Sequence, residues 1–295
     1  MKKIFVKKSI KNLTVCAGIM AMLMGIAPAY AYTRLNEDQM IHQELIADME
    51  NAPKISAGAA IVIDGDSSDV LYEKNADSKM YPASMTKIMT CIIAIEKCDP
   101  TSIVTISDYA ADVECTRVYA GNKIRVHDLI RQMMLISDNG AATAIGEYIA
   151  GSEEAFADMM NEKAKEIGME HTHFVNMNGM PNENHYSTAR DMAILSRYCM
   201  QNEKFRKIVG TKNFDAEYVQ PSGRKQSCWN TNELLYDYSG TVGIKTGYTN
   251  AAGACLASAV DRNGHELIAI VMQSADDDSR FSESKQLFDY AFRKY

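Results

Sequence analysis

The apolar pattern of this chain changes period twice, and that limits the folds open to it. Near the N-terminus AGAAIVIDGDSSDVLYEKNA reads as a hairpin. Apolar residues run from Ala59 to Ile63, an Asp/Gly/Ser turn follows, and Val70 to Tyr72 returns. SMTKIMTCIIAIEKC then reads as a helix with an almost wholly apolar, centrally buried body. From about Val126 to Arg206 the spacing is helical, in VHDLIRQMMLIS, GAATAIGEYIA, SEEAFADMMNEKAKEIG and STARDMAILSRYCMQ. Gly151 and Gly168 mark stops, and Ser152 reads as a cap with Glu153 and Glu154 in the first turn. Strand patterns return in GTVGIKTGYT, GACLASAVD and HELIAIVMQ, with turns at Asn250-Ala251 and Arg262-Asn263-Gly264. A closing helix lines up Leu287, Phe288, Ala291, Phe292 and Tyr295 on one stripe. Strands at both ends and helices between them predict an α+β fold. An antiparallel sheet of N- and C-terminal strands would carry covering helices and a helical subdomain.

The first 31 residues stand apart. Lys2, Lys3, Lys7, Lys8 and Lys11 precede an apolar run from Leu13 to Ala27, and Ala29-Tyr30-Ala31 follows. This is the pattern of a secretory signal peptide, with cleavage expected after Ala31 and an uncleaved anchor as the rival. Residues 32–50 read as a polar, amphipathic lead-in, and 32–295 as a single catalytic domain with no further C-terminal β-domain. The chain carries a net charge of −7, and losing the five leader lysines makes the rest more acidic still. Nucleic acid and anionic membrane surfaces are therefore poor partners. Beyond Cys16 in the leader, the cysteines show no C-x-x-C and no zinc spacing, and Cys91 and Cys98 read as buried thiols. His171 and His173 form an H-x-H without a partner cluster, so neither a metal nor a cofactor is expected. The sole tryptophan, Trp229, is expected to pack in the core.

Three short stretches carry the chemistry. In YPASMTKIMT, Ser84 and Lys87 are three residues apart and share one face of a helix. A serine that opens a helix usually only caps it. A serine nucleophile needs an adjacent base, and a lysine inside an apolar helix needs a lowered pKa or a partner. Ser137-Asp138-Asn139 alone reads as a turn or cap. Lys245-Thr246-Gly247 lies on a strand between Gly243 and Gly247, and such glycines often mark close backbone approach by a ligand.

Together, Ser-x-x-Lys, Ser-Asp-Asn and Lys-Thr-Gly in this order resemble the constellation of class A β-lactamases and penicillin-binding proteins. The flanking AAIVIDGDSSDVLYEKNADSKMYPASMTKIMT, GMPNENHYSTARDMA and VGIKTGYTNAAGACLASAV resemble the low-molecular-weight penicillin-binding proteins that act as serine-type D-alanyl-D-alanine carboxypeptidases. The resemblance covers about residues 55 to 293. It implies a β-lactamase/transpeptidase-like fold with the site where sheet and helical region meet. It implies an exported enzyme whose partners are peptidoglycan stem peptides ending in D-Ala-D-Ala, with β-lactams as covalent inhibitors.

The same resemblance assigns roles. Ser84 would be the nucleophile and Lys87 its base, with the like charge of Lys245 depressing one of the two lysines. Ser137 would relay a proton to the leaving amine, and Asn139 would hold the substrate amide. Lys245 and Thr246 would face the terminal carboxylate, with Arg280 in support. The backbone N–H groups of Ser84 and Tyr248 would form the oxyanion hole. Tyr248 replaces a histidine common in relatives, and Asp138 a glycine. Ser187 reads as a helix cap with Arg190 in the first turn. Two rivals remain at this point. A β-lactamase would need the Glu-x-x-Leu-Asn pattern, which is not found between Asn139 and Lys245. A non-catalytic wall-binding protein would have no use for the intact triplet of motifs.

Overall fold

The fold is given by a computed structural model that describes residues 51–295 together with Met40. The leader expected at 1–31 lies outside the described residues, as does the lead-in except Met40. Within Pro53–Tyr295, one unit of the chain, the strands are β1 (Ala59–Asp64), β2 (Val70–Lys74), β3 (Ile103–Thr105), β4 (Lys123–Arg125), β5 (Asn213–Gln220), β6 (Lys225–Trp229), β7 (Thr241–Thr249), β8 (Gly253–Arg262) and β9 (His265–Ser274). The helices are α1 (Lys87–Lys97), α2 (Asp108–Asp112), α3 (Val126–Leu135), α4 (Asn139–Ala150), α5 (Glu153–Ile167), α6 (Ala189–Met200), α7 (Glu203–Val209), α8 (Leu234–Asp237) and α9 (Asp277–Ala291).

The main sheet has the order β2-β1-β9-β8-β7 and is antiparallel throughout. It therefore joins the N-terminal hairpin to the C-terminal strands, as the apolar pattern predicts. Its central strands are apolar on both faces because both faces are covered. Ala60, Val62, Leu267, Ala269 and Val271 meet Leu287, Phe288 and Ala291 of α9 in one core. Their alternates Ala59, Ile61, Ile63, Ile268 and Ile270 face a larger core with α1, α3, α4 and α6. Tyr295 departs from the expected stripe: it is exposed, and its hydroxyl reaches the Asp64 carboxylate.

A second sheet, in the order β3-β4-β5-β6, was not evident in the sequence. Two of its strands have only three residues, and β5 alternates exposed and buried positions in a segment rich in charge. Trp229 ends β6 and is 62% exposed, which overturns its expected place in the core. The cap of α6 is Thr188, whose hydroxyl accepts from Asp191 N, one residue after the expected Ser187.

Candidate active site

Ser84 lies in a 3-10 turn, Ala83–Thr86, that runs straight into α1. Two glycines press on this turn. A Cβ at Gly179 would lie 2.0 Å from Ala83 O and 3.0 Å from Ser84 N. A Cβ at Gly247, on β7, would lie 3.2 Å from both Ser84 N and Met85 N. Backbone thus meets backbone on two sides of the serine, and Gly247 explains why a glycine interrupts that strand.

One turn further on, Lys87 is fully buried. Its Nζ lies 2.9 Å from Ser84 Oγ, 2.7 Å from Asn139 Oδ1 and 2.6 Å from the Asn178 carbonyl. Burial pulls its pKa down to about 7, against an opposing pull from Asp138 and then Cys115. A neutral amine has two N–H donors and one lone pair. The two carbonyl acceptors, Asn139 Oδ1 and Asn178 O, take the donors, which leaves the lone pair for the Ser84 hydroxyl proton.

Ser137, Asp138 and Asn139 form the turn between α3 and α4. Ser137 is half-buried with φ 61°, and its hydroxyl makes no hydrogen bond among the described residues. Asp138 caps α4 and takes four donors: Ala141 N at 2.9 Å, Thr116 Oγ1 at 3.0 Å, Arg117 N at 2.9 Å and Gln132 Nε2 at 2.8 Å. It is occupied by protein, in line with the expectation that it does not meet substrate. Asn139 is also engaged by protein. Its Oδ1 accepts from Lys87 and its Nδ2 donates to Glu114 O at 2.8 Å. The side chain is a bridge that orients the amine, and both its ends are engaged before any substrate amide arrives.

On β7, Lys245 is 1% exposed. Its Nζ donates to Thr246 O at 3.1 Å and has no carboxylate among its hydrogen-bond partners. Burial, then the charges of Lys87 and Arg280, hold its pKa well below the ordinary lysine value. The like-charge effect expected between the two lysines thus falls on Lys245, while Lys87 is shifted by burial. Arg280, in the first turn of α9, is 8% exposed rather than a solvated charge. Its Nη1 donates to Gly247 O at 3.1 Å, and its buried Nε has no partner among the described residues. Tyr248 points its ring outward, 57% exposed, so only its backbone can serve the site.

Sequence reading missed three contributors. The first is the VNMNGM loop, which hands Lys87 the Asn178 carbonyl. Thr90 Oγ1 donates to Met177 O at 2.7 Å, and Asn161 exchanges two 2.8 Å bonds with Phe174 to hold that loop. A backbone carbonyl leaves no trace in composition. The second is buried His185, whose Nε2 lies 2.8 Å from Thr86 Oγ1, between the two key residues. Its Nδ1 accepts from Val175 N, and burial lowers its pKa to about 4, so it stays neutral and donates to Thr86. The third is Thr231, whose Oγ1 lies 2.6 Å from Thr246 Oγ1 while its N–H donates to Leu135 O at 3.1 Å. Thr231 ties the end of α3 to the Lys-Thr-Gly strand. Thr231→Val should raise KM for a D-Ala-D-Ala peptide about 3- to 10-fold, the worth of one hydrogen bond. Because Thr231 is exposed, Tm should hardly move; steady-state kinetics beside a thermal melt check this.

An antiparallel sheet between helical layers, with Ser84 and Lys87 at its junction with the helical region, defines the β-lactamase/transpeptidase-like class. The family model described as D-alanyl-D-alanine carboxypeptidase (peptidase S11) matches residues 46–276, and the chain belongs to that family. D-alanyl-D-alanine carboxypeptidase DacF of Bacillus subtilis is 36% identical over 248 residues, 81% of this chain and 63% of DacF. The chain therefore spans less than two thirds of that relative. Among solved structures, the Streptomyces K15 DD-transpeptidase superposes with a TM-score of 0.78 at 30% identity, covering 82% of this chain and 98% of the other. The D-alanyl-D-alanine carboxypeptidase DacD of Francisella tularensis gives 0.76 at 32%, covering 81% and 71%.

Proposed function

We propose that this chain is a serine-type D-alanyl-D-alanine carboxypeptidase that removes the terminal D-Ala from peptidoglycan pentapeptide stems. The observation that carries the reading is the buried Lys87 amine 2.9 Å from Ser84 Oγ, with two carbonyls fixing its remaining donors. In this mechanism neutral Lys87 takes the Ser84 proton as Oγ attacks the penultimate D-Ala carbonyl. The backbone N–H groups of Ser84 and Tyr248 face the developing oxyanion, a contribution of about 3–4 kcal/mol per donor in other enzymes. Ser137 passes the proton to the leaving D-Ala amine, and water then cleaves the acyl-enzyme.

Specificity for a free C-terminus follows from Lys245. An anion arriving beside this buried lysine favours its charged form, opposing the burial and like charges that disfavour it. The Thr246 hydroxyl and Arg280 support that subsite. β-Lactams would acylate the same serine and leave slowly. Residues 1–31 would direct export and 32–295 would act outside the cytoplasm. Among the described residues no helix is long and apolar enough to cross a membrane.

Two measurements test the proposal. The protein should release D-Ala from a pentapeptide stem, and after incubation with penicillin the acyl adduct should map to Ser84. Rapid turnover of the penicilloyl-enzyme without D-Ala release would make it a β-lactamase. No adduct and no release would leave only a binding role.

A further inference from the structure

We propose that a cleft at the far end of α1 binds a small monoanion with an aliphatic body, of the class of medium-chain carboxylates. The inference stands apart from the carboxypeptidase reading. The cleft has a volume of about 210 Å³. Pockets for drug-sized ligands hold roughly 300–1,000 Å³, so the occupant here is small.

The cleft forms where three helices meet. Ala94 and Ile95 come from α1, Val126 and Ile130 from α3, and Ile208 from α7. Together they give it an apolar lining. Main-chain bonds fix the junction. Val126 N donates to Ser102 O at 2.9 Å and His127 N to Pro100 O at 3.0 Å, which ties the start of α3 to the segment leaving α1. Cys98 N donates to Ala94 O at 3.0 Å and sets the half-buried Cys98 side chain in the wall.

The charges on these walls have one sign. Lys204 and Lys207 share one face of α7, both exposed, and neither amine has a hydrogen bond or ion pair among the described residues. Arg131 donates to His127 O at 3.0 Å and lies 4.9 Å from the Phe214 ring, again without an ion pair. Among the described residues no acid lines the cleft. Two acids adjoin lining residues in the chain, and protein groups engage both. Asp99 accepts from Thr101 N at 2.8 Å and from Thr101 Oγ1 at 2.7 Å. Asp128 is buried, accepts from Glu217 N at 3.3 Å and meets His127 Nδ1 at 3.3 Å.

Three cations without an acidic partner therefore border an apolar cavity. An organic cation would be repelled, and an anion without a carbon chain would leave the apolar lining uncovered. A carboxylate on a short alkyl chain meets both demands, and each methylene taken out of water adds about fourfold in affinity. The site is separate from the catalytic one. Cys98 lies about 16 Å from Lys87 along the line of α1, so a molecule bound here leaves Ser84 open.

The experiment alkylates the protein with iodoacetamide and follows Cys98 and Cys115 by peptide mapping, with octanoate, octylammonium or acetate present. Cys115 is exposed and its carbonyl accepts from Asn139 N at 3.3 Å, so it reports on the catalytic side. Octanoate should act with a half-effect at about 0.1–1 mM, the scale for some ten heavy atoms. At ten times that concentration it should slow alkylation of Cys98 about tenfold, leave Cys115 unchanged within about twofold and raise Tm by about 3–6 °C. Acetate and octylammonium should do neither. Lys204→Met/Lys207→Met, two exposed changes that spare the fold, should weaken the octanoate half-effect about fivefold and keep penicillin labelling of Ser84. No slowing at Cys98, equal slowing by octylammonium, or an unmoved half-effect in the double variant overturns the site. Slowing at Cys115 in place of Cys98 would put the carboxylate in the catalytic cleft and overturn it as well.

Discussion

Lys87→Met should slow acylation of Ser84 by about 10²- to 10⁴-fold, the usual worth of a general base. In Ser84→Ala/Lys87→Met the residual D-Ala release should be no lower than in Ser84→Ala alone. Groups that act as one unit are not additive: once the nucleophile is gone its base has nothing to do. The two lie 2.9 Å apart, and the amine's other contacts are both carbonyl oxygens that orient it. Methionine fills similar space but leaves Asn139 Oδ1 and Asn178 O without their donor. The checks are single-turnover labelling by a fluorescent penicillin for Lys87→Met and residual D-Ala release for the two variants that lack Ser84. A double variant much less active than Ser84→Ala would mean that Lys87 acts on something other than the serine.

The same residue sets the pH profile. The base must be neutral, and burial places the Lys87 pKa at about 7. Acylation should therefore fall about tenfold per unit below that pH and level off above it. The charge of Asp138 opposes the shift by favouring protonated Lys87. Removing it in Asp138→Asn should move the acidic limb to lower pH. An unmoved limb would mean that some other group controls acylation.

Much of this was legible because it depends on spacing. Ser84 and Lys87 fall together because residues three apart share a face, here across a 3-10 turn that runs into α1, and β1, β8 and β9 announce themselves as apolar runs because both faces of the sheet are covered. What was hidden depends on contacts between distant segments. Asn178 contributes a main-chain oxygen, so its side chain gave no signal. Thr231 matters only because the end of α3 and β7 converge on it. The bridge that Asn139 makes between Lys87 and Glu114 O depends likewise on segments far apart in the chain. For the lysine pair the sequence leaves open which amine the like charge depresses; burial is the first cause for both, and the repulsion adds to it at Lys245.

Gly179→Ala should both unfold the protein earlier and silence the serine. Gly179 has φ 88°, and an added Cβ would sit 2.0 Å from Ala83 O and 2.4 Å from Ala83 C. An alanine at positive φ costs about 1–2 kcal/mol by itself. The overlap adds more, because the opposing atoms are backbone and not a side chain that can swing away. Ala83 is itself held at φ 47°, and Asn178, which feeds Lys87, is the preceding residue. The total should exceed about 3 kcal/mol, a fall in Tm of roughly 6–12 °C for a domain of this size. Gly223→Ala separates the two terms, since Gly223 has φ 83° with nothing within 4 Å of an added Cβ. It should lose only the conformational part, about 1–2 kcal/mol, and keep penicillin labelling. Thermal melts and labelling of both variants decide the matter. If Gly179→Ala behaves like Gly223→Ala, the contact between this loop and the Ser84 turn is not what holds the nucleophile in place.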